Sequence, residues 1–315
     1  MHRIIYTHGG GRLGNQVMRF AHWIAWALEH EEEVEVRNLA FWPYAKYFAT
    51  WRAHPGCVFP LRPDGWDEAA RLRQLLPEPV SRRLDWRLQR RVQELGRWRR
   101  GWNALELNND AGQTLDLGDP TWIRRAAGST TTTCAGWRIA SWSLLDRHQA
   151  AVRGFFRPAR DVAAGPGAFV GALRRRHDFV IGVHIRQGDY RDWHDGRFHF
   201  AMEQYGRWIR QALELHAGQH PVAVVVSDAP LAAGFGRGLP VQQRRDRPAM
   251  EDWTTLSLCD VILCAPSTFA ATAAFQGGVA LWPLTAADQV LAREQILPDG
   301  MIGAAHHTVF SLSVR

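Results

Sequence analysis

The chain has 315 residues, a formal net charge of +7, 46% hydrophobic residues and 22% charged residues. Those proportions exclude a disordered or fibrous polymer, and the length suits two packed domains of about 150 residues each. No stretch approaches the roughly 20 consecutive apolar residues that span a bilayer.

The positive charge is almost all arginine, with Lys46 the sole lysine. An arginine-rich codon bias, with the charge diluted over the whole surface, accounts for most of this. An anionic partner (nucleotide phosphate, anionic lipid or nucleic acid) is the alternative. Cys57, Cys134, Cys259 and Cys264 form no CxxC pair and no metal spacing, and Cys264, ending the apolar run Val261-Ile262-Leu263, reads as a buried thiol, which fits a reducing compartment. Met1-His2-Arg3 leads into a strand and then glycines, not into a secretory leader. A cytoplasmic, bacterial protein is expected.

In chain order, Ile4-Ile5-Tyr6 reads as a strand, Gly9-Gly10-Gly11 as a turn, and Gly14 to His30 as a helix carrying Val17, Phe20, Ala21, Ile24 and Leu28 at helical spacing. Val34 to Leu39 reads as a second strand, completing the opening βαβ of a doubly wound domain. Trp66 to Trp102 is irregular until Ser81. A helical stretch follows with Leu84, Leu88, Val92 and Leu95 on one stripe between arginines. That stripe is expected to pack into the first domain, the second option being peripheral contact with an anionic membrane. Thr130 to Thr133 reads as a loop, and Arg157 to Gly167, with Pro158, Gly165, Pro166 and Gly167, as a linker. Beyond it, helices and strands alternate. Strands are expected at Phe179 to Ile185, Val222 to Val226, Asp260 to Cys264 and Val279 to Trp282. Helices are expected at Phe169 to Arg176, Phe200 to His216, Glu251 to Cys259 and Thr268 to Phe275. The uninterrupted apolar run 222–226 suits a parallel sheet covered on both faces.

Four groups of residues carry chemistry. Gly10 to Gln16 sits between the first strand and first helix, where Gly14 permits close approach, helix-start N–H groups are free, and Asn15 and Gln16 are able to bind hydroxyls. An ordinary polar βα turn is an equal reading. Gly9, Gly11 and Gly14 fit GxGxxG, yet Arg37 and Asn38 stand where a dinucleotide fold needs an acid. His184-Ile185-Arg186-Gln187-Gly188-Asp189-Tyr190 caps a strand. There Arg186 offers a two-pronged grip on a diphosphate, Gly188 a tight turn, and Asp189 a partner for that arginine. A buried Arg–Asp pair stabilising a loop is the plainer alternative. Ser227-Asp228 ends the next strand. Asp252 precedes Ser267-Thr268, whose hydroxyls open a helix and suit either a phosphate or simple N-capping.

Taken together these elements resemble the fucosyltransferase superfamily, notably glycosyltransferase family 11, with kinship to the α-1,6- and protein-O-fucosyltransferases. His184 to Tyr190 resembles its HxRxGDY motif, and Gly11 to Gln16 its GRLGNQ element. Ser227-Asp228 is similar to its SD pair, and Asp252 to Phe269 to its third motif. The resemblance implies a GT-B fold: α/β, with two Rossmann-like domains facing each other across a cleft. Residues 1–160 would form the acceptor side and 161–315 the donor domain. It implies an inverting transfer of fucose from GDP-fucose to a glycan or lipid-linked oligosaccharide, α-1,2-linked and part of surface polysaccharide synthesis, without a metal. Arg186 would contact the diphosphate and His184 lie beside the nucleotide. Asp252 would meet the guanine side, Ser267 and Thr268 the phosphates, and Asn15 the sugar and acceptor. Gln187 stands where a second arginine is usual, and Ala270-Ala271 follow Phe269 in place of the family's aromatic stretch.

No DxD occurs in the chain. A fixed arginine, helix-start N–H groups and hydroxyls would stabilise the departing diphosphate in its place. Asp189, Asp228 and His184 all remain open as a base. Another nucleotide sugar is an alternative donor. A nucleic-acid-binding protein is the alternative class, supported by the charge and 15 tryptophans, but no RRM, OB or helix-turn-helix pattern accompanies them, so no nucleic-acid partner is expected.

Overall fold

A computed structural model describes residues 2–8, 11–30, 34–54, 56–61, 78–107, 115–122, 128–136, 138–243 and 247–298; Met1, Gly9, Gly10 and Trp66 lie outside the described residues. The chain divides into two compact units, Met1–Ala159 and Arg160–Arg315.

In the first unit, β1 (His2–His8) leads to α1 (Leu13–Glu29) and then to β2 (Val34–Asn38). The helix is apolar nearly all round, and from Leu13 to Ala27 only Asn15 is not fully buried. The sheet also contains β3 (Val58–Phe59), β4 (Trp102–Glu106) and, after the short β5 (Leu115–Asp116), β6 (Thr131–Ala135). Its order is β3-β2-β1-β6-β4, parallel except for the β2–β3 pair. The threonine run is therefore not a loop: Thr131, Thr132 and Thr133 are buried in a strand hydrogen-bonded on both sides. β-branched threonine suits such a pleated, packed position.

After the short helices α2 (Trp42–Ala45) and α3 (Ala49–Ala53) comes α4 (Glu78–Trp98), which packs on this sheet, but not by the whole of the expected leucine stripe. Leu84 and Leu95 are exposed, whereas Asp85, Gln93 and Gly96 are buried. A Cβ on Gly96 would lie 2.1 Å from Thr133 Oγ1, so the helix approaches the sheet more closely than any side chain allows.

The first unit ends with the short β7 (Ile139–Ala140) and α5 (Trp142–Phe155), and the second opens with α6 (Arg160–Arg174), which continues through Gly165, Pro166 and Gly167. The expected linker is thus mostly helix. Pro166, Val170 and Leu173 are buried there, and Leu173 packs with Val180 and Val222; tertiary burial overrides the local breakers.

The second sheet is parallel throughout, in the order β10-β9-β8-β11-β12. Its strands are β8 (Phe179–Ile185), β9 (Pro221–Ser227), β10 (Val241–Gln243), β11 (Val261–Cys264) and β12 (Ala280–Pro283). Ile181, Val183 and Ile185 enter one apolar cluster with Trp208 and Ile209 of α7 (Met202–Leu215), while Val180 enters another on the opposite face. Both faces are covered, which is why the strands read as continuous apolar runs. Strand order reverses between β8 and β11, and ligands of open parallel sheets bind beyond the carboxyl ends at that reversal. Among the described residues no helix is long and apolar enough to cross a membrane.

Candidate active site

The reversal in the second unit gathers most of the residues singled out in the sequence. β8 ends at Ile185, so Arg186 is the first residue beyond it. Ile185 pairs with Ser227 in the β8–β9 register, which sets Arg186 beside Asp228. The Arg186 side chain is 16% exposed, and its guanidinium lies between two carboxylates. Its Nη2 is 2.7 Å from Asp189 Oδ1 and its Nη1 is 3.2 Å from Asp228 Oδ2.

The two acids are unlike. Asp228 Oδ1 accepts the backbone N–H groups of Gln187 at 2.8 Å and Gly188 at 3.3 Å, and its side chain is 18% exposed. Asp189 is 55% exposed. Gly188 is required by space: a Cβ there would lie 2.9 Å from Asp228 Oδ2. Gln187 turns away, its Nε2 donating to the Phe200 carbonyl at 2.8 Å.

His184, on β8, is buried and stacks on Phe269 at 5.0 Å between ring centroids. Burial, helped by the nearby Arg186 cation, pushes its pKa down to about 4, so it is a neutral imidazole at physiological pH. Its Nδ1 is buried and has no hydrogen-bond partner among the described residues. Phe269 belongs to the first turn of α9 (Thr268–Gly277), which starts from β11 on the other side of the reversal. Ser267 is its N-cap residue in position, yet its side chain makes no capping hydrogen bond; it interacts with Tyr190 instead. The first N–H groups of α9 thus receive nothing from Ser267, and this end of the helix carries a partial positive charge.

Tyr190 is a residue whose role the sequence reading did not assign. Its hydroxyl donates to the Pro266 carbonyl, tying the loop after β8 to the loop after β11. The Arg186 guanidinium lies 5.7 Å from its ring centroid. Burial raises its pKa, which keeps that hydroxyl a donor. Its place at the end of the His184–Tyr190 motif was the available signal.

Asp252 sits in the first turn of α8 (Ala249–Leu256). This helix follows β10 and precedes β11, so its N-terminus faces the carboxyl edge of the sheet. Arg186, Gly188, Asp189 and Asp228 therefore form one cluster, with His184, Ser267 and Thr268 adjoining it through Tyr190 and Phe269 and Asp252 at the same edge.

Gly14 and Asn15 belong to the first unit, in the first turn of α1, Gly14 buried and Asn15 half-buried. Gly11 has φ of +74° and its Cα faces the Asn15 amide so closely that a Cβ would lie 1.9 Å from Nδ2. The glycine fixes where that amide points. Among the described residues no three His, Cys, Asp or Glu side chains are grouped as metal ligands.

Two Rossmann-like units of this kind define an α/β fold of the GT-B type. Solved structures similar in fold to this chain include fucosyltransferases. Arabidopsis thaliana FUT1, a point mutant in complex with GDP, is 16% identical over 90% of this chain and 70% of that one, with a TM-score of 0.55. The NodZ alpha-1,6-fucosyltransferase soaked with GDP-fucose is 15% identical over 95% of this chain and 100% of that one, at 0.52. The fucosyltransferase NodZ from Bradyrhizobium, in selenomethionine form, is 16% identical over 95% and 99%, at 0.50. No protein-family model matches the sequence, and no curated protein does.

Proposed function

We propose that this protein is an inverting fucosyltransferase that uses GDP-fucose and delivers the sugar to a hydroxyl of a glycan or lipid-linked oligosaccharide, in α-1,2 linkage. The observation that carries the reading is Arg186, its side chain only 16% exposed at the strand-order reversal, beside the α9 N-terminus whose N-cap side chain makes no capping bond. Those are two fixed positive elements at one edge, the arrangement a diphosphate requires. The fold, shared with fucosyltransferases of which one was solved with GDP and another soaked with GDP-fucose, supports the same donor.

In this reading the bond between the anomeric carbon and the β-phosphate oxygen breaks, and its electrons pass to the departing GDP. Arg186 and the α9 N–H groups stabilise that charge without needing to reorganise. A divalent ion is not required for this step. An incoming diphosphate competes with the carboxylates for Arg186. Asp228 is held by two N–H groups and stays, while exposed Asp189 gives way. Asp189, so released, is our candidate to take the proton from the acceptor hydroxyl, which attacks the opposite face of the sugar. Neutral, buried His184 is a nucleotide-side contact rather than a base, with Gly188 shaping the turn. Asp252 is assigned to the base of the nucleotide, Ser267 and Thr268 to its phosphates, and Gly14 and Asn15 to sugar or acceptor hydroxyls on the first unit.

The test is donor hydrolysis by the purified protein in the absence of acceptor. Release of GDP and fucose from GDP-fucose, inhibited by GDP and not by UDP, supports the assignment. Turnover of a UDP-sugar instead overturns the donor, and no turnover of any nucleotide sugar overturns the class.

A further inference from the structure

Polar side chains pin α4 to the first sheet by a face about a quarter-turn from its leucine stripe, of which Leu88 and Val92 are half-buried. Gln93 Oε1 accepts the Thr7 hydroxyl at 2.8 Å, and Gln93 Nε2 donates to Glu106 Oε1 at 3.0 Å. Gln89 Nε2 donates to the Leu39 carbonyl at 3.2 Å, and Gly96 lies against Thr133. These contacts span two turns of the helix, so its rotation is fixed.

What faces outward is consequently fixed as well. Trp98 is 85% exposed and Trp86 54%, and Val80, Leu84 and Leu95 are exposed with them. At 100° per residue, Val80, Leu84, Leu95 and Trp98 line one flank of the outward face, with Arg83, Arg87 and Arg90 along its middle and Trp86 on the other side. Arg91, Arg97, Arg99 and Arg100 are exposed too.

The charge of the molecule is concentrated here. Between residues 80 and 102, eight arginines stand against Asp85 and Glu94, so this stretch holds six of the chain's seven net positive charges. Among the described residues Arg90 pairs with Glu94 at 3.6 Å and Arg97 with Glu106, while Arg83, Arg87, Arg91 and Arg100 have no acidic partner.

We propose that the outward face of α4 docks on an anionic lipid surface, its arginines on headgroup phosphates and Val80, Leu84, Leu95 and Trp98, which share one flank, at the headgroup–acyl boundary. Charge complementarity selects this occupant. A basic face interleaved with exposed tryptophan and leucine matches the layered chemistry of a lipid interface, anionic outside and apolar beneath. The proposal is independent of the donor reading, since α4 contributes nothing to the Arg186 cluster. It does place a glycosyl acceptor carried on a lipid within reach of the same protein.

Vesicle co-sedimentation tests it, with the full chain, phosphatidylglycerol-rich vesicles and phosphatidylcholine vesicles. The expected result is binding to the anionic vesicles alone, weakening as salt rises. It should fall at least about tenfold in Arg83→Glu/Arg87→Glu/Arg91→Glu and several-fold in Trp98→Ser, which is nearly fully exposed and leaves the fold intact. GDP-fucose hydrolysis without acceptor should be unchanged in both variants. Equal binding to both vesicle types, no binding, or unchanged binding in both variants overturns the proposal. So does concentration-dependent dimerisation abolished by Trp98→Ser, which makes a second copy the occupant. Single-stranded RNA bound through these arginines more tightly than vesicles overturns it too.

Discussion

Asp228 holds Arg186 through one carboxylate oxygen and the loop that follows Arg186 through the other. Oδ2 lies 3.2 Å from the guanidinium, and Oδ1 takes the N–H groups of Gln187 and Gly188. The arginine is therefore positioned before any ligand arrives. Arg186→Lys is expected to keep the fold and lose roughly 100-fold in kcat for transfer from GDP-fucose, because lysine retains the charge without the planar fork. Turnover within a few-fold of the wild type would remove Arg186 from the reaction.

The two carboxylates should separate under mutation. Asp228→Asn keeps an acceptor for the loop but places a neutral amide against Arg186, so GDP affinity and kcat should both fall, by about tenfold or more. Asp189→Asn removes an exposed negative charge from the phosphate side, so GDP should bind as well or better while transfer falls. Calorimetric titration of GDP beside transfer kinetics reads the two apart. Parallel losses of affinity and transfer in both variants would contradict the division of roles.

The legible part of this site was the part contiguous in sequence. His184 to Tyr190 could be read as a strand end followed by a ligand loop because all its members are adjacent. The pairing of Arg186 with Asp228 could not, because it depends on Ile185 lying opposite Ser227 in a parallel register that leaves no local mark. The threonine strand was missed for a related reason: four threonines in a row show no period, and burial between β1 and β4 decides their state. On α4 the leucine stripe pointed to the wrong face, since hydrogen bonds from Gln89 and Gln93 and the small Gly96 determine what packs. Helix α6 shows breakers overruled by burial at Pro166 and Leu173.

Gly11→Ala tests Asn15. The new methyl overlaps the Asn15 amide, and alanine at φ of +74° is strained by about 1–2 kcal/mol in addition. Donor hydrolysis and GDP affinity, properties assigned to the second unit, should stay within about twofold, while transfer to acceptor falls tenfold or more. A matching loss in GDP affinity would mean that the substitution acts on the whole fold.

Chelation is a separate check on the charge chemistry. Arg186 and the start of α9 are proposed to carry the charge of the departing diphosphate, so activity in excess EDTA should equal activity with added Mg²⁺ or Mn²⁺. Activity lost in EDTA and regained with metal alone would assign that charge to an ion.

Two buried histidines make stability depend on pH. His22 on α1, whose Nδ1 lies 3.0 Å from the Ser141 carbonyl oxygen, and His184 on β8 both have their pKa pushed down to about 4 by burial. In the unfolded chain each returns to about 6.5. Between those values the unfolded state binds protons that the folded state refuses, so stability is full above about pH 6.5 and is lost as pH falls towards 4. Each group costs the fold about 3 kcal/mol at the acid end. Because His22 lies in the first unit and His184 in the second, both units should weaken across the same window. Urea midpoints measured from pH 7 to pH 4 should fall steadily for the wild type. In His22→Gln the fall should be shallower, since glutamine cannot take up the proton, even though its midpoint at pH 7 is lower. An equally steep fall in that variant would mean that His22 is not part of the acid response.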